Sequence, residues 1–136
     1  MNFNELDRTL PNGFHDASLR HFEMDYVNHT LKFDLDVDIG TPEEAQDFYR
    51  PARITVENVA FLVVEPPYAR DDWREAGSIR IDTGEGVPDN SKSVVTNVPR
   101  GTSTTWIYLS EMNSFIIFAG GSASLEWTGP KAPWKQ

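Results

Sequence analysis

Two neighbouring residues near the N-terminus, His15 and Asp16, have side chains that can perform acid–base chemistry. An imidazole titrates near neutral pH, and a carboxylate can orient it or join it in a metal site. Because successive residues of a strand point to opposite faces, a direct contact between the two requires a turn at this point. The competing interpretation is a structural turn after Gly13, in which Asp16 accepts backbone N–H hydrogen bonds. We favour the structural interpretation and keep His15, Asp16 and His21 as candidate catalytic residues.

Three aspartates, Asp34, Asp36 and Asp38, alternate with apolar residues and therefore share one face of a predicted strand. His21 is expected beside them on the neighbouring strand. Calcium requires several oxygens that converge at about 2.3–2.6 Å, whereas residues on one strand face are about 7 Å apart. The sequence thus predicts no metal site and no cofactor. It favours a solvated strand edge or an acidic partner-binding face, and on an exposed sheet such a face suits a basic protein partner.

Aromatic side chains form the third candidate group, because flat amphipathic rings suit both sugar stacking and protein hot spots. Trp106 and Tyr108 share one face of a predicted strand, and the apolar Ile107 lies on the other. Such a strand is either central in its sheet or has one face in contact with a partner. Core packing is the competing interpretation for every ring in a β-rich domain. We name Trp73, Trp106 and Tyr108 as candidate binding residues.

The clearest element is a β-hairpin, because residues 31–39 alternate strictly between apolar and polar types. Residues 22–26 alternate as well, and Val27-Asn28 lies midway as the tip. With the hairpin tip at Val27-Asn28, Met24 opposes Leu31 on the core side, and a bulge is expected near Arg20. Two pairs of oppositely charged or hydrogen-bonding residues then lie on the solvent-exposed side. These pairs are Glu23 with Lys32 and His21 with Asp34.

The rest of the chain predicts short strands separated by turns. The β segments are residues 52–65, as one bent strand or a strand pair, and residues 78–82, 94–96, 104–109, 114–119 and 123–128. Short helices are expected in the first ten residues, from Thr41 to about Tyr49, and within residues 69–76. The predicted fold class is mostly β, with an antiparallel sheet folded as a sandwich or partly open barrel and one to three short helices. We expect a single domain over residues 1–136, with an extended tail at 129–136.

The run Gly13-Phe14-His15-Asp16-Ala17, followed by two alternating strands, resembles the N-terminal motif of small uncharacterised bacterial proteins. The similarity covers residues 10–39. These small proteins loosely resemble the immunity and interaction proteins found beside bacterial toxins. The resemblance implies a bacterial interaction protein, and it transfers no catalytic residue.

Composition excludes several classes of function. The absence of cysteine removes disulfide frameworks, Cys-ligated metals and thiol catalysis. A net charge of -9, from 21 acidic and 12 basic residues, disfavours nucleic acid as a partner. The longest apolar runs are far shorter than the roughly 20 residues that span a bilayer. The first residues lack the features of a signal peptide, so the expected location is the cytoplasm.

The sequence leaves three functions open. The first is a non-enzymatic cytoplasmic interaction protein, immunity-like, that uses its acidic or aromatic surface. The second is a small-ligand or carbohydrate-binding β domain. The third is a hydrolase or metal-dependent enzyme centred on His15, Asp16 and His21, which requires these side chains to converge around one pocket. Homodimerisation through an exposed strand is a further option, although Asp-rich edges oppose it.

Overall fold

The computed structural model describes residues 1–70, 72–95 and 97–134. Within these residues the chain is mostly antiparallel β-structure, with one α-helix and three short 3-10 helices. The main elements in chain order are α1 (Phe3–Thr9), β1 (Ser18–Asp25), β2 (Thr30–Asp38), β3 (Phe48–Val56), β4 (Phe61–Val64), β5 (Ile79–Glu85), β6 (Ser103–Leu109), β7 (Ser114–Gly120), β8 (Ala123–Trp127) and β9 (Ala132–Pro133). The 3-10 helices are Trp73–Glu75, Asp89–Ser91 and Ser110–Met112. The predicted fold class is confirmed.

The strands form one open sheet in the order β4-β7-β6-β5-β1-β2-β3-β8, with β9 beside β3. Strands β4 and β8 stand at the two ends of this order, so the sheet does not close into a barrel. Strand β5 pairs with β1 along one part and with β6 along another, and so joins the two halves. The halves face each other, because the ring centroids of Phe33 on β2 and Phe118 on β7 are 5.6 Å apart. The sheet therefore folds over a shared core.

Helix α1 is short, and its N-terminus is closed by side chains. Asn2 Oδ1 accepts a hydrogen bond from the Glu5 N–H at 2.8 Å, and Glu5 Oε1 accepts one from the Asn2 N–H at 3.2 Å. This reciprocal capping box satisfies two donors that have no partner within the helix. Phe3 and Leu6 are only 2% and 8% exposed, and the Phe3 ring stacks on Phe14 at 4.8 Å. The helix predicted for the first ten residues is confirmed and packs against the core.

Strands β1 and β2 form the predicted hairpin in the predicted register. A register shift between Leu19 and His21 is the expected bulge, and it leaves Leu19 on the buried face at 8% exposure. The Cα partners include Met24 with Leu31, Phe22 with Phe33, Glu23 with Lys32 and His21 with Asp34. The apolar residues of β2 are fully buried, namely Leu31, Phe33, Leu35 and Val37. The alternating pattern thus fixes both the pairing and the core face.

Two predicted elements are wrong. Thr41 N donates to Glu44 Oε1 at 2.8 Å and Glu44 N donates to the Thr41 carbonyl at 3.1 Å, so a turn forms there. It does not continue as a helix, because β3 already begins at Phe48, whose carbonyl accepts a hydrogen bond from Ile39 N at 3.0 Å. Val94 lies in a turn, Val95 follows it without forming a strand, and residue 96 lies outside the described residues.

The later β segments follow the prediction. Residues 52–65 form a strand pair, β3 and β4, and the last third contains β6, β7 and β8 at the expected places. In the tail, β9 pairs with the start of β3, and residues 135–136 lie outside the described residues. No helix in the described part of the chain has the length and apolar character needed to cross a membrane.

Candidate functional site

The segment from Gly13 to Ala17 divides its side chains between the core and the surface. Phe14 and Ala17 are fully buried. Gly13 and Asp16 have positive φ angles of 58° and 59°, so the backbone is left-handed at two points of this short segment. Aspartate tolerates this conformation better than most residues. His15 and Asp16 thereby stand side by side at the surface, with 3.5 Å between the imidazole Nε2 and a carboxylate oxygen.

The His15 ring lies between two carboxylates. Its Nδ1 is 3.2 Å from Asp82 Oδ1, and its Nε2 is 3.5 Å from Asp16 Oδ2. The hydrogen bond with Asp82, followed by the charge of Asp16, raises the pKa of His15 above its usual value. The direct pair of His15 and Asp16 therefore forms, and strand β5 supplies the second carboxylate.

Replacing Asp82 by asparagine is expected to lower the pKa of His15, because the largest cause of the upward shift is lost. The pKa of His15 is higher in the folded state than in the unfolded state, so the contact with Asp82 stabilises the fold when His15 is protonated. This contribution is complete below the ordinary pKa of histidine, and it is lost as the pH rises through the raised pKa of the folded state. An NMR titration of the His15 ring C–H signals measures the change. The exposed Glu126, replaced by glutamine, is the matched control and leaves this pKa unchanged. Equal His15 pKa values in wild type and D82N would contradict the contact.

Two further groups surround Asp16. The Tyr49 hydroxyl donates to the Asp16 carbonyl oxygen at 3.1 Å, and Arg80 Nε is 3.9 Å from Asp16 Oδ1. Burial raises the pKa of Tyr49 to about 12, so this hydroxyl remains a protonated donor at neutral pH. Within the described residues no side-chain hydroxyl is hydrogen-bonded to the His15 ring. The cluster holds and shares a proton, but it presents no activated nucleophile of the Ser–His type.

His21, the third candidate catalytic residue, belongs to a separate cluster. Its Nδ1 is 3.3 Å from Asp34 Oδ2, across the hairpin. The enzyme hypothesis requires His21 to lie beside His15 and Asp16, and the structure does not place it there. In the ranges that the structure describes, no set of three or more histidine, aspartate and glutamate side chains is arranged to hold a metal ion.

The predicted acidic face is present on β2, but its charges have neighbours. Asp34 accepts hydrogen bonds from Arg53 Nε at 2.9 Å and Nη2 at 3.2 Å, and this pairing lowers the pKa of Asp34. Asp36 Oδ2 is 3.3 Å from Arg20 Nε. Asp38 accepts a backbone N–H of the following loop at 3.0 Å. Two of the three negative charges are thus compensated within the sheet, which leaves this face less acidic than the sequence suggests.

Trp106 and Tyr108 lie on the outer face of β6, where Phe115 of β7 joins them. The ring centroids of Trp106 and Phe115 are 5.7 Å apart, and those of Tyr108 and Phe115 are 5.1 Å apart. All three side chains are half-buried. Together with Asp82 and Pro88 they line an open depression of about 370 Å³. We call these five residues the aromatic shelf.

Neighbouring residues fix the positions of the Trp106 and Tyr108 rings. Gly84 lies opposite Trp106 in the pairing of β5 and β6, and a Cβ atom at Gly84 would overlap the indole. The glycine therefore allows the Trp106 ring to lie against the strand. The Tyr108 hydroxyl donates to Asn113 Oδ1 at 2.7 Å. The aromatic shelf is accordingly preorganised, and Asp82 connects it to His15.

Trp73 occupies a different site. It lies in the 3-10 helix of residues 73–75, is 37% exposed, and lines a cleft of about 430 Å³ with Trp134, Arg20 and Asp36. None of the five shelf residues lines this cleft. The aromatic candidates named from the sequence thus fall into two separate places, and only Trp106 and Tyr108 are together.

Sequence reasoning missed Asp82, Gly84, Pro88 and Phe115. The strand register reveals three of these neighbours, because it pairs Asp82 and Phe115 with Tyr108 and Gly84 with Trp106. Pro88 joins them from the loop after β5. No sequence signal placed these residues together, because Gly84 falls in the loop predicted after the strand of residues 78–82, and the order of the strands in the sheet was not predicted.

Comparison with known proteins leaves the chain without an assigned family. No protein-family model matches it, and no curated protein matches it. Among solved structures it is similar to the crystal structure of an uncharacterized protein from Neisseria gonorrhoeae, with a TM-score of 0.45 and 14% sequence identity. The alignment covers 82% of this chain and 91% of that chain. Nothing in this likeness bears on function.

Proposed function

We propose that this chain is a non-enzymatic interaction domain that binds another protein through the aromatic shelf. The observation that carries the proposal is the group of three half-buried rings on an outer sheet face, placed there by Gly84 beneath Trp106. Tryptophan and tyrosine dominate the binding energy of protein interfaces, because they bury a large area with few rotatable bonds. Rings fixed before binding lose little conformational entropy on association.

The shape of the shelf favours a protein over a small molecule. Small-ligand sites are usually enclosed clefts that bury most of the ligand surface. The aromatic shelf is an open depression on the face of strands β5 to β7, and its rim includes the carboxylate of Asp82. An apolar centre with a polar rim is the usual organisation of a protein interface.

The charge of the chain supports a basic partner. A net charge of -9 accelerates encounter with a positively charged protein, most strongly at low salt. The aspartates of β2 contribute less to this than their number suggests, because Arg53 and Arg20 pair with Asp34 and Asp36. The aromatic shelf is therefore the centre of the proposed interface, and the acidic strand contributes at longer range.

The Gly13–Ala17 segment resembles the motif of small uncharacterised bacterial proteins, which in turn loosely resemble immunity proteins, and this likeness supports a bacterial toxin as the proposed partner. In this proposal the chain works in the bacterial cytoplasm and blocks the toxin by occupying part of its surface. Its own chemistry is limited to binding, in keeping with the separation of His21 from His15 and Asp16.

Carbohydrate or small-ligand binding is the second candidate function. It is favoured by the size of the depression, about 370 Å³, and by the combination of flat rings with a carboxylate. A glycan array, together with thermal-shift measurements against small ligands, separates it from the leading proposal. The hydrolase hypothesis has less support, because His15 contacts carboxylates rather than a nucleophile.

Site-specific photo-crosslinking in the native host tests the leading proposal. Benzoylphenylalanine is introduced in place of Tyr108, and in a control protein in place of Tyr26, which is 78% exposed at the hairpin tip. We expect one protein to be crosslinked in good yield from position 108 and not from position 26. No adduct at position 108, or the same adducts from both positions, would contradict a protein-binding shelf.

A further inference from the structure

The carboxylate of Asp82 stands at the rim of the aromatic shelf with one oxygen uncommitted. Its Oδ1 contacts His15 Nδ1 at 3.2 Å and accepts the Thr83 N–H at 2.9 Å. Its Oδ2 has no hydrogen-bond partner among residues 1–70, 72–95 and 97–134. Since a carboxylate has room for about four hydrogen bonds, Asp82 retains acceptor capacity beside the rings.

A cation is the group that such a site attracts. The faces of tryptophan and tyrosine carry negative electrostatic potential and attract ammonium and guanidinium groups. The carboxylate of Asp82, which lines the same depression, adds an ion pair. An anionic group would be repelled by the ring faces and by the carboxylate, and a neutral group would be stabilised only by contact with the rings.

The geometry distinguishes arginine from lysine. A guanidinium is planar, so it can stack on Trp106 or Tyr108 while its edge N–H groups reach the carboxylate of Asp82. An ammonium group is a point charge that makes less use of the flat surface.

We propose that the aromatic shelf receives an arginine side chain of the partner protein, stacked on Trp106 and Tyr108 and paired with Asp82 Oδ2. This inference rests on the proposed function and names the chemistry of the group that the shelf recognises. The charge around the site favours it. Among residues 1–70, 72–95 and 97–134, the cationic groups within contact distance of Asp82 and Asp16 are Arg80, which pairs with Asp16, and His15.

NMR titration with two matched small probes tests the inference. The probes are N-acetyl-arginine methylamide and N-acetyl-citrulline methylamide, which have similar shapes and differ in charge. Work at about pH 8, above the ordinary pKa of histidine, reduces the positive charge on His15, which otherwise competes for Asp82. The signal followed is the indole N–H of Trp106, assigned by its absence in Trp106→Phe.

We expect the arginine probe to shift the Trp106 indole signal saturably, with millimolar affinity, and the citrulline probe to bind at least about tenfold more weakly. Asp82→Asn should weaken the arginine probe to the level of citrulline, whereas Glu126→Gln, on an exposed position of β8, should not. Retained amide spectra show that both variants are folded. Shifts confined to other tryptophans, equal binding of the two probes, or unchanged binding by D82N would overturn the inference. Shifts from methyl glucoside alone would overturn it in favour of a carbohydrate site.

The two proposals fail in different ways. If the arginine probe does not bind but crosslinking at position 108 yields a partner, the shelf binds a protein by other chemistry and only the arginine inference falls. If the arginine probe binds at Trp106 but no protein is crosslinked there, the interaction-domain proposal falls and the shelf is a site for small cations.

Discussion

Replacing Phe33 by alanine is expected to lower the free energy of unfolding by about 3–5 kcal/mol, the largest stability effect anticipated for this chain. Phe33 is fully buried on β2. Its ring centroid is 5.6 Å from that of Phe118, 6.1 Å from that of Phe22 and 6.2 Å from that of Phe3. The ring therefore joins the hairpin, helix α1 and the opposite half of the sheet. Its removal leaves a cavity that these elements cannot close without moving.

Urea denaturation followed by tryptophan fluorescence measures this loss. Because a typical domain has only about 5–15 kcal/mol of stability, the alanine variant can be largely unfolded. Phe33→Leu keeps most of the side-chain volume and is expected to fold with a smaller loss. Tyr26→Ala, at an exposed tip position, should change the free energy by less than about 0.5 kcal/mol. A loss below about 1 kcal/mol for Phe33→Ala would show that the two sheet halves are not held together by this ring.

The first hairpin could be predicted in detail from the sequence, because every level of local information agrees. Residues 31–39 alternate without exception, and the opposing strand supplies the complementary pairs Glu23 with Lys32 and His21 with Asp34. A shift of one residue would expose the whole apolar set, so a single register is strongly favoured. Even the bulge near Arg20 followed from the need to bury Leu19.

The segment after Thr41 shows where local signals fail. The capping pattern of Thr41 and Glu44 forms its hydrogen bonds, yet no helix follows. Residues 49–56 gain more from pairing along β2 than a two-turn helix gains from its own hydrogen bonds, since short helices are marginal in water. The strand pairing therefore overrides the helix signal, as tertiary contacts often do.

Only the contacts between residues close in sequence could be predicted for the candidate site. The adjacency of His15 and Asp16 is visible in the sequence, but Asp82 comes from a strand 67 positions away. Trp106 and Tyr108 could be assigned to one face, whereas Phe115 and Gly84 join them through pairings that depend on the whole sheet.

For the acidic strand β2, the sequence overestimated the exposed negative charge. Its aspartates were visible as charges, and the arginines that pair with Asp36 and Asp34 belong to the neighbouring strands β1 and β3.

Replacing Trp106 by alanine is expected to weaken the complex with the partner protein about 30-fold or more, the largest functional effect anticipated. The indole is the largest ring of the aromatic shelf and rests against Gly84. Gly84→Ala provides a second variant that keeps the ring and displaces it, because the added Cβ overlaps the indole. It should also weaken the complex, although less than removal of the ring.

Trp73→Ala is the matched control, because it removes an indole from the other aromatic site. The decisive measurement is isothermal titration calorimetry of the purified partner, identified by crosslinking, against wild type, Trp106→Ala and Trp73→Ala. If the aromatic shelf is the binding surface, Trp106→Ala loses about 30-fold or more in affinity, and Trp73→Ala stays within about twofold of wild type. Unchanged affinity for Trp106→Ala, with a large loss for Trp73→Ala, would place the interface on the cleft beside Trp134 and contradict the shelf as the binding surface.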